Sequence, residues 1–230
     1  MELFKNIEII DLALYLSKYK TLIISDLHIG FEESLNKQGI FVPRFQLDDL
    51  FKRLKGILDK VEIKRIIING DLKHEFGTIS DQEWRDSLKL IDLFLEYSEV
   101  ILVKGNHDAI FEPIAKKKNI KIVDSFKIDD ICILHGNKIL ENLDCNILII
   151  GHDHPVVSLR ENSRVEKYKC FLKGKWKDKN LIVMPSFKLL IEGSDVFKEK
   201  LLSPYLDDVS DFEVFVVGDK IYKFGILKEI

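Results

Sequence analysis

Cysteine is scarce: the chain of 230 residues has three, Cys132, Cys145 and Cys170, and no two of them form a CxxC pair. An odd count at such spacing argues against a disulfide framework and for a reducing compartment, the cytoplasm. No Pro/Gly/Ser-rich stretch marks a linker between domains. Nor does any segment approach the roughly 20 uninterrupted apolar residues of a membrane-crossing helix, so no membrane association is expected. The first residues alternate acidic and apolar side chains, without the basic start and long apolar run of a signal peptide. An excess of positive charge is missing too: the formal net charge of -3 excludes a globally basic nucleic-acid binder and leaves only a local basic patch.

What is present is an ordinary globular composition, 46% hydrophobic and 32% charged. Runs rich in β-branched residues recur at Thr21–Ser25, Arg65–Asn69, 100–103, Ile131–Leu134 and 146–150. They are apolar throughout rather than alternating, which predicts strands covered on both faces and an α/β architecture. Segments 45–60 and 80–97 carry apolar residues at helical spacing, Leu47, Leu50, Leu54 and Leu58 among them, and Ser80 or Asp81 can cap the second. After Asn162 the pattern turns to strands at 167–176 and 181–184 and a hairpin at 214–224 around Gly218 and Asp219. This tail is expected to complete a second sheet of one domain spanning 1–230.

All six histidines stand at or just past the end of an apolar run, each beside Asp, Gly or Asn. The elements read Asp26-Leu27-His28, Gly70-Asp71-Leu72-Lys73-His74, Gly105-Asn106-His107-Asp108, His135-Gly136 and Gly151-His152-Asp153-His154. A single DxH at a strand end is most often a turn or a cap. Five in series are hard to attribute to packing, because ligands of open α/β sheets gather beyond the carboxyl ends of strands. In an extended segment His152 and His154 would point to the same side and share one metal region. Imidazole with carboxylate and amide oxygen, and no thiolate, suits manganese, iron, zinc or a similar cation better than a closed cysteine-bound zinc site. The donors exceed one coordination sphere, and two cations about 3.5 to 4 Å apart suit the clamping of a phosphoryl centre. Their charge outweighs that of two aspartates, so phosphate is the expected guest.

The ordered set DxH, GDxxH, GNHD, HG and GHxH resembles the calcineurin-like metallophosphoesterase superfamily over Asp26 to His154. Within it, Gly39-Ile40-Phe41-Val42-Pro43, the stretch from Asp71 to Gly77 and Met184-Pro185-Ser186-Phe187 are similar to the prokaryotic ligase-associated phosphoesterases. The resemblance implies a four-layer α-β-β-α sandwich of two mixed β-sheets flanked by helices, with the cleft along one sheet edge. It implies two divalent cations, manganese first and iron, zinc or nickel as alternatives. Asp26, His28, Asp71 and His154 would hold one, Asn106, His135 and His152 would complete the other, and Asp71 would bridge them. A hydroxide between the cations would attack phosphorus, with His107 as general acid and Asp108 of the same motif counted among the catalytic residues.

Protein phosphatases of the superfamily carry aspartate followed by Arg-Gly where His74-Glu75-Phe76 stands here. The repair nucleases resemble this chain in having histidine there, in contact with the substrate phosphate, and a second imidazole suits a diester whose leaving alkoxide needs a proton. The alternative for His74 is to orient a ligand. The expected function is therefore a phosphodiesterase on nucleotides or nucleic acid, cyclic nucleotides included, with a phosphomonoesterase on a small metabolite as runner-up and a non-catalytic scaffold as the third reading. Lys169, Lys173, Lys175 and Lys177 near Tyr168, Phe171 and Trp176 form the best candidate for nucleic-acid contact; lysines on an edge hairpin would look the same. The run Lys116, Lys117, Lys118 reads as a solvated helix face. No protein partner is legible, and a homodimer stays open.

Overall fold

The computed structural model describes residues 1–40, 46–161, 164–189 and 193–230. Its first sheet runs in chain order: β1 (Glu2–Phe4), β2 (Ile7–Ile10), β3 (Ala13–Leu16), β4 (Thr21–Ser25), β5 (Arg65–Asn69), β6 (Glu99–Val103) and β7 (Lys121–Val123). The first three form an antiparallel meander onto β4, and β4 to β7 are parallel. The uninterrupted apolar runs have the expected cause. Leu22, Ile24, Ile66, Ile68 and Leu102 face the helices, while their neighbours Ile23, Ile67 and Val103 face the other sheet. Of the helices, α1 (Phe31–Lys37) follows β4, α2 (Gln46–Leu58) buries Leu50, Leu54, Ile57 and Leu58, α3 (Asp81–Tyr97) buries Leu90, Ile91 and Phe94, and α4 (Glu112–Lys118) follows β6. Ser80 caps α3 through a capping box with Glu83.

The second sheet holds β8 (Ser125–Ile128), β9 (Ile131–Leu134), β10 (Ile147–Ile150), β11 (Val156–Glu161), β12 (Arg164–Trp176), β13 (Lys179–Val183), β14 (Glu213–Val217) and β15 (Ile221–Ile226). Its order is β15-β14-β12-β13-β10-β9-β8, with β11 paired to β12, and both parallel and antiparallel neighbours occur. The fold is thus two mixed sheets flanked by helices. An apolar layer that includes Ile149, Phe171, Ile182 and Phe215 joins the sheets. On the far side of the second sheet the covering layer is irregular chain: Val196, Leu201, Tyr205, Leu206 and Phe212 seal it.

One expectation is corrected. Cys132 in β9 and Cys145, just before β10, form a disulfide with Cα atoms 6.1 Å apart, although 13 residues separate them; Cys170 is the free, buried thiol. The spacing hid the pair because the parallel pairing of β9 with β10 closes the gap. In segment 167–179 the aromatic side chains divide, Tyr168 and Trp176 half-buried and Phe171 in the core. Its strand β12 lies between β13 and β14, so Phe171 is fully buried, Trp176 packs on Tyr205, and buried Lys169 donates to the Ser186 carbonyl at 2.8 Å and its hydroxyl at 3.0 Å. The basic run at the end of α4 lies on a solvated face as expected: Lys116 and Lys117 are exposed, and Lys118 is half-buried and pairs with Asp92. Residues Phe41, Val42, Pro43 and Phe45, invoked above, lie outside the described residues.

Candidate metal centre

The histidine-bearing elements begin where parallel strands end: those of Asp26, Asp71 and Asn106 beyond β4, β5 and β6 of one sheet, those of His135 and His152 beyond β9 and β10 of the other. Both parallel blocks end at the same edge of the sandwich, and the strand-end loops fold inward. Asp26, His28, Asp71, His152 and His154 all adopt positive φ, from 46° to 71°. The expected extended path from His152 to His154 is therefore replaced by two left-handed residues, and the two side chains part. His154 gathers with Asp26 and His28, whereas His152 gathers with Asp71 and His135.

Within the first group the Nε2 atoms of His28 and His154 face each other at 3.1 Å, and His154 Nε2 is 3.3 Å from Asp26 Oδ1. In the second, His135 Nε2 lies 3.3 Å from Asp71 Oδ2 and 3.0 Å from Asn106 Oδ1. Asp71 Oδ2 stands between the groups, 3.9 Å from His28 Nε2 and 3.8 Å from His107 Nε2. All seven expected ligands thus converge. Donors of this type, buried and aimed at one another, fit a pair of borderline cations. The wholly buried amide of Asn69, directly before Gly70, has no hydrogen-bond partner among the described residues, which also suits a site completed by bound species. Backbone follows closely behind: a Cβ at Gly105 would collide with Asp71, and one at Gly151 with Ser25 and Asp26.

Burial alone would raise the Asp26 carboxyl, but His154, His135 and His28 around it bring it well below the usual carboxylate range. Burial pushes His28 down, and the facing His154 adds to this. His152 is lowered to about 4 by burial and by His135. For His135, burial is outweighed by its hydrogen bond to Asp71 and the charges of Asp26 and Asp71, so its imidazole is raised to about 9. The carboxylates around His135 thus favour positive charge at this place.

His107 and His74 lie side by side, ring centroids 5.6 Å apart and 23° from parallel. His107 Nδ1 contacts the His74 carbonyl oxygen, an acceptor only, so that nitrogen carries a proton and Nε2 is left toward Asp71. His74 is 3.5 Å from His28 between Nδ1 atoms, and its imidazole is lowered by burial, then by His107 and Lys188. A third group of donors, His28, His74 and His107, therefore lies beside the two expected ones. Asp108 is placed differently from a reacting group. Buried at 1% exposure, its carboxylate accepts from the backbone N–H of Leu72 at 3.1 Å and of Gly105 at 3.0 Å, tying two strand-end loops together. Burial and the charge of Asp71 raise it to about 6.

Two supports escaped the sequence reading. Glu83 accepts from the backbone N–H of His74 at 3.0 Å, Glu75 at 2.7 Å and Ser80 at 2.9 Å, and so pins the His74 loop to α3. Asp153, between the two ligand histidines, accepts from Leu202 at 2.6 Å and Ser203 at 2.9 Å. The Glu at the third helical position was a legible capping signal for Glu83; nothing local announces the Asp153 partners 49 and 50 residues on.

A family model described as calcineurin-like phosphoesterase matches residues 19–219. The crystal structure of the nuclease MPE of Pseudomonas putida is similar over 91% of this chain and 90% of its own, at 19% identity and a TM-score of 0.67. The phosphoesterase Yfce of E. coli aligns with 86% of this chain and 88% of its own, at 12% identity and a TM-score of 0.44. Among curated proteins, the DNA polymerase II small subunit of Methanocaldococcus jannaschii is 27% identical over 168 aligned residues, 60% of this chain. The chain spans 28% of that relative's length.

Proposed function

The chain belongs to the calcineurin-like phosphoesterase family, and from that premise we propose that it is a phosphodiesterase hydrolysing nucleotide or nucleic-acid diesters at a dinuclear metal centre, within a single domain close to the ligase-associated phosphoesterases. The observation that carries the reading is the placement of Asp71 Oδ2 between two donor groups, facing His28 on one side and His135 on the other. Asp26, His28, Asp71 and His154 hold one cation; Asp71, Asn106, His135 and His152 hold the second. Two divalent ions, manganese first, supply the charge that draws in a phosphate and lowers the pKa of water enough for attack at neutral pH. His107 gives a proton to the departing oxygen from Nε2, while its Nδ1 stays fixed on the His74 carbonyl. His74, beside it, contacts the phosphate, and Asp108 holds the loops that carry Asp71 and Asn106.

The nuclease likeness and the polymerase-subunit relative favour nucleic acid as the substrate class. A monoesterase is kept as the second reading because Lys188 brings positive charge toward His28 and His74, which a dianionic monoester would use. The cytoplasm is the proposed location, as the compartment of nucleotide metabolism; the disulfide takes away the cysteine argument for it. Among the described residues no helix is long and apolar enough to cross a membrane.

Manganese-loaded protein is expected to turn over bis-p-nitrophenyl phosphate with a higher kcat/KM than p-nitrophenyl phosphate, and Asp71→Asn to abolish both. Preference for the monoester overturns the diester reading; an Asp71→Asn protein as active as the parent overturns the shared-carboxylate centre.

A further inference from the structure

We propose that the solvent face of Phe76 is a stacking subsite for the base of the departing nucleoside, so that the protein recognises its leaving group by an aromatic platform. This rests on the phosphodiesterase reading above. Phe76 is 62% exposed, and among the exposed large apolar side chains of the described residues only Leu202 exceeds it. It is not a loose loop tip. Glu83 grips the two residues before it through their N–H groups, and the Lys73 amine donates to the carbonyl of Glu75. One face of the Phe76 ring lies against His107, centroids 3.6 Å apart and tilted by 34°. His107 also stacks with His74. The three rings make a short ladder that leads from the ligand His28 outward, with Phe76 as its solvent-facing end.

His107 sets what this ring can touch. A group that protonates the departing oxygen is within hydrogen-bond reach of it, so whatever that oxygen carries passes beside the neighbouring ring. An apolar, planar face with water on its far side selects an apolar, planar face with polar edges, which describes a nucleobase. Base-on-aromatic stacking is tolerant of sequence, because every base has a π-face, and the contact itself is between uncharged rings. That matters in a chain of net charge -3 whose segment 167–179 buries Phe171 and packs Trp176 on Tyr205. An aliphatic alcohol would gain contact from any apolar side chain of similar size, and this difference provides the test.

Dithymidine phosphate and its two analogues with one base replaced by a tetrahydrofuran are hydrolysed by manganese-loaded parent, Phe76→Leu and Phe76→Trp proteins, with products separated to identify the departing side. In the parent, removing the base on the departing side is expected to lower kcat/KM roughly tenfold. This penalty disappears in Phe76→Leu and persists in Phe76→Trp, while loss of the other base gives a penalty that Phe76 does not alter. No penalty in the parent, or an equal penalty in Phe76→Leu, overturns the subsite. Turnover of bis-p-nitrophenyl phosphate without cleavage of any dinucleotide overturns the subsite and leaves the diesterase reading standing. Failure on every diester removes that reading itself.

Discussion

Positive φ at Asp26, His28, Asp71, His152 and His154 places five proposed ligands in a conformation that ordinary side chains avoid, at about 1–2 kcal/mol each. Two of them are held by bonds between neighbouring loops: Asp26 N–H donates to the Gly70 carbonyl at 3.2 Å and His28 N–H to that of Asp71 at 2.9 Å. Residue types at the five tips were legible in the sequence; this backbone was not, because neither Asp nor His announces a left-handed turn. His135 titrates in a way the sequence also could not give. In the metal-free protein its raised imidazole, near 9, is protonated at pH 7, whereas His28 and His152 are held neutral. A cation taken up through His135 must displace that proton. Manganese affinity is thus expected to rise with pH from 7 to about 9 and then level off. Calorimetry at pH 7 in buffers of different ionisation enthalpy should record release of about one proton from this residue, absent in His135→Gln; a buffer-independent heat in the parent removes the argument. For His107, whose Nδ1 is occupied by a carbonyl, replacement by Asn is expected to lower the rate on a dinucleotide by about 10²- to 10⁴-fold. The loss should be much smaller with p-nitrophenolate, which leaves without a proton, at unchanged metal content. Equal losses on both substrates contradict the general-acid role.

Helix α3 shows how an element serves the site. Its cap was readable from Ser80, since Ser followed three residues later by Glu is a capping box. That the same Glu83 carboxylate reaches back to His74 and Glu75 could not be read, because it depends on where the loop after β5 returns. Glu83 is wholly buried, and Glu83→Ala leaves three backbone donors without their acceptor. In urea unfolding of the metal-free protein it is expected to cost about 1–3 kcal/mol, more than the roughly 1 kcal/mol of Ser80→Ala, and the two losses should not add because both break the same box. A Glu83→Ala loss under about 0.5 kcal/mol, the scale of an ordinary surface change, contradicts the tether. Strands β4, β5, β6, β9 and β10 were legible for the opposite reason: burial on both faces writes itself as an unbroken apolar run. Strands β1, β2 and β11 left no such mark, since strands of mixed exposure carry short, ambiguous patterns, and β3, though buried, is only four residues long; of β12 the part 167–176 was read.

At the scale of the whole molecule, the order of the motifs was enough to read two mixed sheets, but not the irregular layer around Tyr205 that closes the second one. More consequential is where the donors come from. Asp26, His28, Asp71 and Asn106 follow strands of the first sheet, and His135, His152 and His154 follow strands of the second. Each proposed cation is therefore held from both sheets, and its binding energy acts across the apolar layer between them. A ligand bound only by the folded chain adds RT ln(1 + [L]/Kd), about 2.7 kcal/mol at a hundredfold excess over Kd. For a chain of this size that corresponds to a rise in Tm of roughly 5–10 °C on adding manganese, reversed by a chelator. His152→Ala, which removes a second-sheet donor from one cation only, should reduce the rise without abolishing it. The double replacement of His152 and His154 leaves one donor, His135, on that sheet and should bring the rise close to zero. If manganese raised Tm as much in the double variant as in the parent, His152 and His154 would add nothing to the holding of the cations, and the tie between the sheets through them would be refuted.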